Sequence, residues 1–290
     1  IDQTINCVLN QTFPFWEWII VNDGSTNEES IEKLKEIEKI DKRIKVVSKE
    51  NSGLAATRDY GANQSDKNAE YLIFLDDDDL IHPTYLECAY ATLQTNKEAA
   101  WAYTDVVNFE GMEFKWIKWF DSEMEKKENL LVATALIRKT DFFEVNGYEL
   151  REKAVNEDWN LWLKLLAVGK RPVRMNFDGF WYRRKKQGSE LQRSKENMKR
   201  ALEIVRTTGE KIKENVEAIQ YPKQDYNWEK IIESIDIPDA EKIDDGKINI
   251  LMMIPWMITG GADKFNLDLI SRIDKKKFNI IMVTTQPSTN

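Results

Sequence analysis

The chain has 290 residues, 42% of them hydrophobic and 32% charged, which is enough to bury at least one sizeable core. Its net charge of −8 argues against a general nucleic-acid binder, and a single histidine, His82, argues against a histidine-rich zinc site or a histidine-based catalytic triad. No apolar run has the length of a membrane span, and the two cysteines, Cys7 and Cys88, lie far apart in apolar stretches, which favours a reducing compartment.

The two ends of the chain have the pattern of a piece cut from a longer protein. The first residues, IDQTINCVLNQTF, are typical of the middle of an amphipathic helix and lack a helix start signal. The last residues, VTTQPSTN, follow directly on an apolar strand. We therefore expect truncation at both ends.

Apolar, β-rich runs alternate with helical patterns in the first part of the chain. A buried strand is predicted in WEWIIVNDGS, and the helix after it has Ile31, Leu34 and Ile37 at three-residue spacing. RIKVVSK predicts a second strand, SGLAATRDYGANQ a second helix and YLIFLDDDD a third strand, after which Pro83 suits the first position of another helix. AAWAYTDVVNF predicts a fourth strand. This alternation predicts parallel βαβ units in a doubly wound sheet, with ligands at the carboxyl ends of the strands.

The chain then continues with more mixed patterns. EFKWIKWF alternates like an edge strand, and LLVATALIRK is a further apolar run. NEDWNLWLKLLAVG predicts a helix, because Trp159, Trp162, Leu163 and Leu166 share one helical face and Gly169 is placed to end it. RPVRMNF and GFWYRRK predict a closing pair of strands.

Composition changes twice along the chain, which predicts three parts. Residues 1–188 form the first α/β domain. A polar helical segment and a stretch containing Pro and Asp predict a helical linker over residues 189–245. Residues 246–290 begin with the buried strand KINILMMIP, continue with a glycine turn and amphipathic helix in GGADKFNLDLISRI, and close with the strand FNIIMVTT. They predict the opening βαβ of a second, truncated α/β unit.

Four consecutive aspartates, residues 76–79, follow the apolar run YLIFL. Their mutual repulsion requires either a bound cation or full solvation. A carboxylate pair at the end of a strand suits Mg²⁺ or Mn²⁺, hard cations that take oxygen ligands and bridge substrate phosphates. The alternative is a solvated acidic loop before the helix that begins near Pro83. An EF-hand calcium loop fits poorly, because the spaced ligands, central glycine and distal glutamate of that loop are missing.

Three further motifs have an ordinary structural interpretation when taken singly. NDGST at residues 22–26 is made of turn formers. NSGLAATRDYG at residues 51–61 is compatible with a capped helix and a solvated Arg58. NED at residues 156–158 is compatible with a helix start, where the helix dipole favours acidic residues. Their order and spacing together carry the functional signal.

Taken in order, VLNQTF, IIVNDGST, NSGLAATRDYG, YLIFLDDDDLIHPTYLE and NEDWNLWLKLLAVG resemble glycosyltransferase family 2 over about residues 1–190. That family comprises inverting nucleotide-sugar transferases of the GT-A fold. The resemblance implies an α/β fold with a Rossmann-like, mostly parallel sheet flanked by helices, whose first strand lies upstream of Ile1. The tail from Lys247, with its GGADKF turn, resembles the start of a GT-B glycosyltransferase domain whose remainder is absent.

The resemblance also assigns roles on the donor side of the site. It implies that Asp23 takes the nucleobase edge, uracil in many members, and that Arg58 lies near the nucleotide or its diphosphate. Asp76 and Asp78 form the Asp-X-Asp pair, with Asp78 as the direct ligand of Mn²⁺ or Mg²⁺ and Asp76 nearer the ribose. Asp77 between them belongs to the nucleotide-binding set.

The remaining roles concern the proton and the diphosphate. The resemblance makes Asp158 the general base that accepts the proton of the acceptor hydroxyl. Many relatives carry a histidine after the closing strand, where this sequence has Lys185. Lysine pairs with phosphate, so Arg183, Arg184 and Lys185 are candidate diphosphate contacts. A solvated basic strand end is the alternative for these three.

The function implied is a metal-dependent inverting transfer of a sugar from a nucleoside diphosphate, UDP in many members, to a hydroxyl of a glycan, polysaccharide or lipid-linked saccharide. Candidate acceptor-side residues are Trp116, Trp119 and Trp181, with burial in the core as the alternative. The expected location is the cytoplasm, including the inner face of the membrane. Competing hypotheses are a non-catalytic transferase-like module that binds a nucleotide or a partner, and, ranked lower, a glycoside hydrolase with an acid pair.

Overall fold

The computed structural model describes residues 1–117, 119–148, 156–184, 195–221, 247–254 and 272–284. The chain forms two compact units, Ile1–Asp225 and Tyr226–Asn290. Helices and strands alternate in the first unit, which confirms the predicted α/β class. No helix within the described part of the chain has the length and apolar character that crossing a membrane requires.

The described helices of the first unit are α1 (Asp2–Leu9), α2 (Glu28–Ile37), α3 (Leu54–Gln64), α4 (Tyr85–Thr95), α5 (Ser122–Glu125), α6 (Lys139–Glu144), α7 (Glu157–Ala167) and α8 (Lys195–Gly209). Its described strands are β1 (Trp18–Asp23), β2 (Ile44–Lys49), β3 (Tyr71–Leu72), β4 (Leu80–Ile81), β5 (Ala99–Tyr103), β6 (Val106–Glu110), β7 (Phe114–Trp116), β8 (Leu136–Arg138), β9 (Arg171–Met175), β10 (Phe180–Arg184) and β11 (Ile219–Tyr221).

The first βαβ unit follows the sequence prediction. β1 and β2 pair in parallel, with Trp18 opposite Ile44 and Asp23 opposite Lys49. The helix between them, α2, begins at Asn27, whose side-chain oxygen accepts a hydrogen bond from the Ser30 backbone N–H at 2.9 Å. Because parallel strands end at the same edge of a sheet, the polar residues after β1 and β2 lie side by side.

The remaining strands of the first unit form two further sheets. One sheet has the order β4-β10-β6-β7 and the other the order β11-β9-β5-β8-β3. Parallel pairs (β5 with β9, β6 with β10, β9 with β11) are extended by antiparallel partners (β4, β7 and β8). The predicted edge strand EFKWIKWF is present as β7 at the edge of its sheet.

Three strand predictions need correction. The run AAWAYTDVVNF is two strands in different sheets, because the chain breaks at Asp105, whose buried carboxylate pairs with Arg174 at 2.7 Å. The apolar run YLIFL contributes only Tyr71 and Leu72 to a ladder, antiparallel to β8. RPVRMNF and GFWYRRK are strands, but β9 and β10 do not pair with each other, since each pairs within a separate sheet.

Helix α7 lies at the centre of the larger core. Leu161, Trp162, Leu163 and Leu165 are completely buried, and the Trp162 ring stacks on Trp101 of β5 with centroids 5.3 Å apart. Full burial of each leucine contributes roughly 1.5–3 kcal/mol. The predicted helix in NEDWNLWLKLLAVG is therefore confirmed. Its buried face holds the helix in the core, and its first turn carries the acidic residues Glu157 and Asp158 of the motif.

The described part of the predicted linker, α8 and β11, belongs to the first compact unit. Val205 of α8 belongs to the same core cluster as α7, and β11 pairs in parallel with β9. Residues 189–194 and 222–245 of that segment lie outside the described residues, so the boundaries 1–188, 189–245 and 246–290 stay a prediction. In the second unit, β12 (Ile248–Ile254) and β13 (Phe278–Thr284) pair in parallel. The predicted glycine turn at residues 260–261 lies outside the described residues.

Candidate active site

A cavity of about 1900 Å³ lies in the first unit and extends along the whole of β1 to Asp23 at its carboxyl end. Its walls come from β1, α2, α3, the run around and after β3 and the end of β10. The residues that the sequence predicted and that line this cavity are Asp23, Arg58, Asp76, Asp77, Asp78, Arg183 and Arg184. The cavity therefore brings together residues that are far apart in sequence.

Asp23 ties the end of β1 to the loop before α3. Its carboxylate accepts hydrogen bonds from the backbone N–H groups of Ser52 and Gly53, both at 3.0 Å, and forms an ion pair with Lys49. Partial burial acts to raise the pKa of Asp23, but these partners outweigh it and lower the pKa below its ordinary value. Gly24 has a φ of 78°, and an added Cβ would lie 2.9 Å from the Asn51 nitrogen, so this turn requires glycine. The predicted nucleobase contact of Asp23 stays a prediction.

Arg58 projects from α3 into a buried position between two carboxylates. Its Nη2 donates to Asp76 Oδ1 at 2.8 Å and its Nη1 donates to Glu157 Oε1 at 3.0 Å. The ring of Tyr148 lies 5.7 Å from the guanidinium carbon. Burial opposes the charge on Arg58, but Asp76, Tyr148 and Glu157 outweigh it and raise the pKa of Arg58 above its ordinary value. Arg58 therefore remains a cation.

The acidic run is not one uniformly solvated loop. Asp79 is buried, and its carboxylate accepts a hydrogen bond from the Arg183 backbone N–H at 2.8 Å. Burial, together with the charges of Asp76 and Asp78, raises the pKa of Asp79 to about 8. The backbone oxygen of Asp77 accepts from Thr4 Oγ1 at 2.9 Å, while its side chain is exposed. The run is thus held by its neighbours and presents Asp76, Asp77 and Asp78 to the cavity.

The donor set fits Mg²⁺ or Mn²⁺ that is completed by a substrate. Within the described residues, no group of three or more His, Cys, Asp or Glu side chains is arranged to hold a metal ion. Asp76 and Asp78, both on the cavity wall, offer two carboxylates. Mg²⁺ is commonly held by one or two carboxylates with water and substrate phosphates in the other positions. The residues present therefore match that type of site.

Asp158 lies in the first turn of α7, beside Glu157. Its carboxylate accepts from Asn129 Nδ2 at 3.2 Å and from the Trp159 backbone N–H at 2.8 Å. Burial raises the pKa of Asp158, and the charge on Arg58 limits the rise. Burial and the neighbouring Asp158 raise the pKa of Glu157 to about 7. A pair of carboxyl groups with raised pKa values is a frequent feature of active sites.

The residue before this pair has a special backbone conformation. Asn156, the N-cap of α7, has a φ of 66°, in the left-handed region, and its side chain donates to the sulfur of Met198 in α8 at 3.8 Å. Asparagine tolerates this conformation better than most residues. Neither this conformation nor the contacts of Glu157 and Asn129 followed from the sequence. Glu157 belongs to the NED motif, in which only Asp158 was given a role, and no motif near Asn129 marks it.

The basic residues at the end of β10 have different environments. Arg183 donates to the Asp78 backbone oxygen at 2.7 Å and to Gln3 Oε1 at 2.5 Å, and it pairs with Glu110. Arg184 donates from Nε to Asn108 Oδ1 at 2.7 Å, and its guanidinium carbon lies 4.5 Å from the Tyr182 ring centroid and 5.8 Å from that of Phe114. Lys185 lies outside the described residues. The diphosphate contacts of these three residues stay a prediction.

The three tryptophans proposed for the acceptor side differ in exposure. Trp116 is partly buried and packs against the core. Trp119 is 59% exposed, with the Arg174 guanidinium 4.7 Å from its ring, and Trp181 is 41% exposed, next to Phe109. Trp119 and Trp181 remain candidates for a saccharide-binding surface.

Comparison with known proteins decides the family. The model of the family "Glycosyl transferase family 2" matches residues 1–158, more than half of the chain. The chain belongs to glycosyltransferase family 2. This confirms the resemblance and argues against the glycoside hydrolase hypothesis.

Relatives with similar sequences are named glycosyltransferases. An uncharacterized glycosyltransferase of Methanocaldococcus jannaschii is 29% identical over 175 residues, 57% of this chain and 59% of the relative. The glycosyltransferase GlyA of Streptococcus pneumoniae is 40% identical over 86 residues, 30% of this chain and 12% of the relative. The bifunctional glycosyltransferase pgtA of Dictyostelium discoideum is 36% identical over 96 residues, 32% of this chain and 12% of the relative. The chain thus spans less than two thirds of these relatives.

Solved structures show the fold. S. aureus TarS 1–349 in complex with UDP-GlcNAc superposes with a TM-score of 0.57 at 16% identity, covering 67% of this chain and 57% of that one. GalNAc-T7 with UDP, GalNAc and Mn²⁺ superposes with a TM-score of 0.54 at 17% identity, covering 70% of this chain and 45% of that one. The predicted GT-A type of α/β fold is confirmed.

Proposed function

We propose that this glycosyltransferase family 2 member is a metal-dependent, inverting enzyme that moves a sugar from a UDP-linked donor to a hydroxyl of a glycan or lipid-linked saccharide. The observation that carries the proposal is the cavity at the end of β1, which gathers the acidic run and Arg184 on its wall and is linked through Arg58 to the carboxyl pair of α7. Asp158 itself does not line this cavity, and its neighbour Glu157 is connected to the cavity wall through Arg58. The groups proposed for the two halves of a transfer reaction are thus neighbours.

The donor assignment rests on the neighbours and on the chemistry of the cavity wall. TarS was solved with UDP-GlcNAc, and GalNAc-T7 with UDP, GalNAc and Mn²⁺. Asp78, with Asp76, would hold Mn²⁺ or Mg²⁺, which supplies charge neutralisation on a diphosphate leaving group. Arg184, stacked against Tyr182 and fixed by Asn108, adds a fixed cation on the same wall.

Asp158 is the proposed general base. Its raised pKa brings it closer to the operating pH, which makes proton transfer from an acceptor hydroxyl more favourable. The deprotonated oxygen attacks the anomeric carbon opposite the leaving nucleotide, so the configuration inverts. Asn129 holds the carboxylate by a single hydrogen bond, which fixes its orientation and leaves other lone pairs for the incoming proton.

The acceptor proposal is supported by exposed aromatic residues. Trp119 and Trp181 offer exposed aromatic faces on the first unit, suited to stacking against a saccharide. The proposed location is the cytoplasm or the inner face of its membrane, where nucleotide sugars and lipid-linked acceptors meet. Aspartate and asparagine at the rim of the cavity, including Asp23, suit a nucleobase edge on the donor side.

The deciding experiment is a calorimetric titration of UDP with and without Mn²⁺, using the wild type, Asp78→Ala and, as a control, Asp66→Ala in an exposed turn. The proposal expects Mn²⁺-dependent binding that Asp78→Ala abolishes and Asp66→Ala keeps. Absence of binding to the wild type, or equal binding to Asp78→Ala, would contradict it. Turnover of a panel of UDP-sugars then separates an enzyme from a non-catalytic nucleotide-binding module, which would bind without transfer.

A further inference from the structure

Arg58 joins two carboxylates that the chain supplies from distant places. Asp76 precedes Glu157 by about eighty positions, yet both accept hydrogen bonds from the two terminal nitrogens of the same guanidinium group. Only one side chain therefore separates the acidic run from the first turn of α7. That turn carries Asp158 as its next residue.

The side chain of Arg58 is enclosed. It is 8% exposed, compared with 40% for Asp76 and 11% for Glu157. Tyr148 covers one face, at 5.7 Å from the guanidinium carbon to the ring centroid. A residue that offers a diphosphate several charge-assisted hydrogen bonds needs free, accessible N–H groups. Arg58 directs one N–H of each terminal nitrogen to a protein carboxylate, and with 8% of its side chain exposed it has little surface left for a ligand.

The negative charges around Arg58 stabilise its guanidinium in the buried position. Asp76 accepts a hydrogen bond from one terminal nitrogen and Glu157 from the other, and each belongs to a group of acidic residues, the run 76–79 and the first turn of α7. Loss of the arginine would leave Glu157 as a buried carboxylate without its cation, and breaking a buried pair in this way is strongly destabilising. Arg58 thus fixes the distance between the proposed metal-binding and proton-accepting ends of the site.

We infer that Arg58 is a positioning residue, which aligns the acidic run with the first turn of α7 through Asp76 and Glu157 and does not itself bind the nucleotide. The inference rests on the proposed function, since it assumes that Asp76 serves the donor and Asp158 the acceptor. It differs from the role that the family resemblance implies for Arg58, a contact to the nucleotide or diphosphate.

The test separates alignment from binding. Wild type, Arg58→Met and Arg58→Lys are compared by UDP titration in saturating Mn²⁺ and by kcat and KM for a turned-over UDP-sugar. We expect Arg58→Met to lower kcat by roughly 30-fold or more, as misalignment at a reacting centre does, with UDP affinity and donor KM within about threefold of the wild type. Arg58→Lys, which keeps the charge but can contact only one carboxylate well, should recover part of kcat.

Two further variants keep the test decisive. Arg43→Met removes an arginine that pairs with Asp41 and stacks on Trp16 and that is not among the residues lining the cavity, and it should leave kcat unchanged. If Arg58→Met does not fold, Glu157→Met removes the acceptor oxygens of one of the two partners while Arg58 stays in place, and the same kcat-only loss is expected. Circular dichroism and a thermal melt establish that each variant is folded.

The outcomes distinguish the two proposals. A parallel loss of UDP affinity and kcat in Arg58→Met would overturn the inference and return Arg58 to the nucleotide-binding set. An unchanged kcat in both Arg58→Met and Glu157→Met would overturn it as well. A wild-type protein that binds no UDP and turns over no UDP-sugar would instead overturn the proposed function itself, and the positioning role of Arg58 with it.

Discussion

Arg183 and Arg184 stand next to each other on β10, but successive side chains of a strand point to opposite faces. Arg183 stacks on Phe109 and donates a hydrogen bond to the Asp78 backbone oxygen. Arg184 stacks on Tyr182 and donates a hydrogen bond to the Asn108 side chain. The partners of Arg183 are parts of the protein itself. Arg184 is therefore the better placed of the two to contact a diphosphate in the cavity.

We expect Arg184→Met to weaken UDP binding in the presence of Mn²⁺ by roughly tenfold or more, because a hydrogen bond to a charged group is worth about 1.5–3 kcal/mol. Arg183→Met should mainly lower the melting temperature, since it removes the contacts to Asp78, Gln3 and Glu110. Calorimetric titration and thermal melts of both variants check this. Full UDP affinity in Arg184→Met would contradict it.

Asp158 allows a second prediction for a single residue. Asp158→Asn keeps the size and the hydrogen bond geometry of the side chain but cannot accept the acceptor proton. General base catalysis contributes typically about 10²- to 10⁴-fold, so kcat should fall by that range while UDP affinity in Mn²⁺ stays within about threefold. Steady-state kinetics alongside UDP titration measure both. An Asp158→Asn protein that transfers sugar at the full rate would exclude Asp158 as the base.

At the scale of the element, the first turn of α7 depends on its N-cap. Asn156 has a φ of 66°, which most residues adopt only at a cost of about 1–2 kcal/mol, while glycine adopts it freely. We expect Asn156→Gly to keep the urea midpoint close to that of the wild type and Asn156→Ala to lower the free energy of unfolding by about 1 kcal/mol. Equal midpoints for the two variants would show that the left-handed conformation is not retained.

The same turn predicts a pH dependence of stability. Burial is the main cause, and the charge of Asp158 the second cause, of the rise in the pKa of Glu157 from an ordinary 4.5 to about 7. A carboxyl with a raised folded pKa binds its proton more tightly when folded, so its stabilising contribution is present below about pH 4.5 and is lost as the pH rises through about 7. Burial shifts the pKa of Asp158 in the same direction.

Glu157→Gln removes this titration. The free energy of unfolding of the wild type, relative to Glu157→Gln, should therefore fall as the pH is raised from about 5 to about 8. Urea melts of the two proteins at several pH values measure the difference. A difference that stays constant over this range would show that Glu157 titrates alike in the folded and unfolded states.

Elements with a strong internal pattern were predictable from the sequence. The i, i+3, i+4, i+7 spacing of α7 and the β-branched run of β1 are local signals, and both elements are present. YLIFL has an equally apolar pattern, but a ladder also needs a partner strand, and only Tyr71 and Leu72 have one in β8. The break between β5 and β6 contains the buried Asp105, whose partner Arg174 lies 69 positions away in the sequence.

The candidate site shows the same difference between signals local in the sequence and contacts between distant residues. Asp23, the acidic run and Asp158 became candidates because the order and spacing of their motifs along the chain resemble the family. The partners of Arg58 were not predicted, since Glu157 lies 99 positions away and no local pattern records that contact. Burial of Asp79 was equally hidden, because four aspartates in a row indicate solvation when the neighbouring strand β10 is unknown.

At the scale of the whole molecule, the candidate site residues are distributed unequally between the two compact units. All the described residues of the candidate site lie in Ile1–Asp225, and this unit has its own core around α7 and its own sheets. The described strands of the second unit, β12 and β13, pair with each other. Donor binding should therefore be a property of the first unit alone.

We expect a protein ending at Asp225 to bind UDP in Mn²⁺ with an affinity within about twofold of the full chain, because every proposed contact is retained. A ligand at 100 times its Kd stabilises its unit by about 2.7 kcal/mol, so UDP with Mn²⁺ should raise the melting temperature of the shortened protein and one transition of the full chain. Differential scanning calorimetry of both proteins measures this, with Asp78→Ala in each as the control that should show no shift. Loss of the shift in the shortened protein alone would mean that Tyr226–Asn290 contributes to the donor site or to its stability.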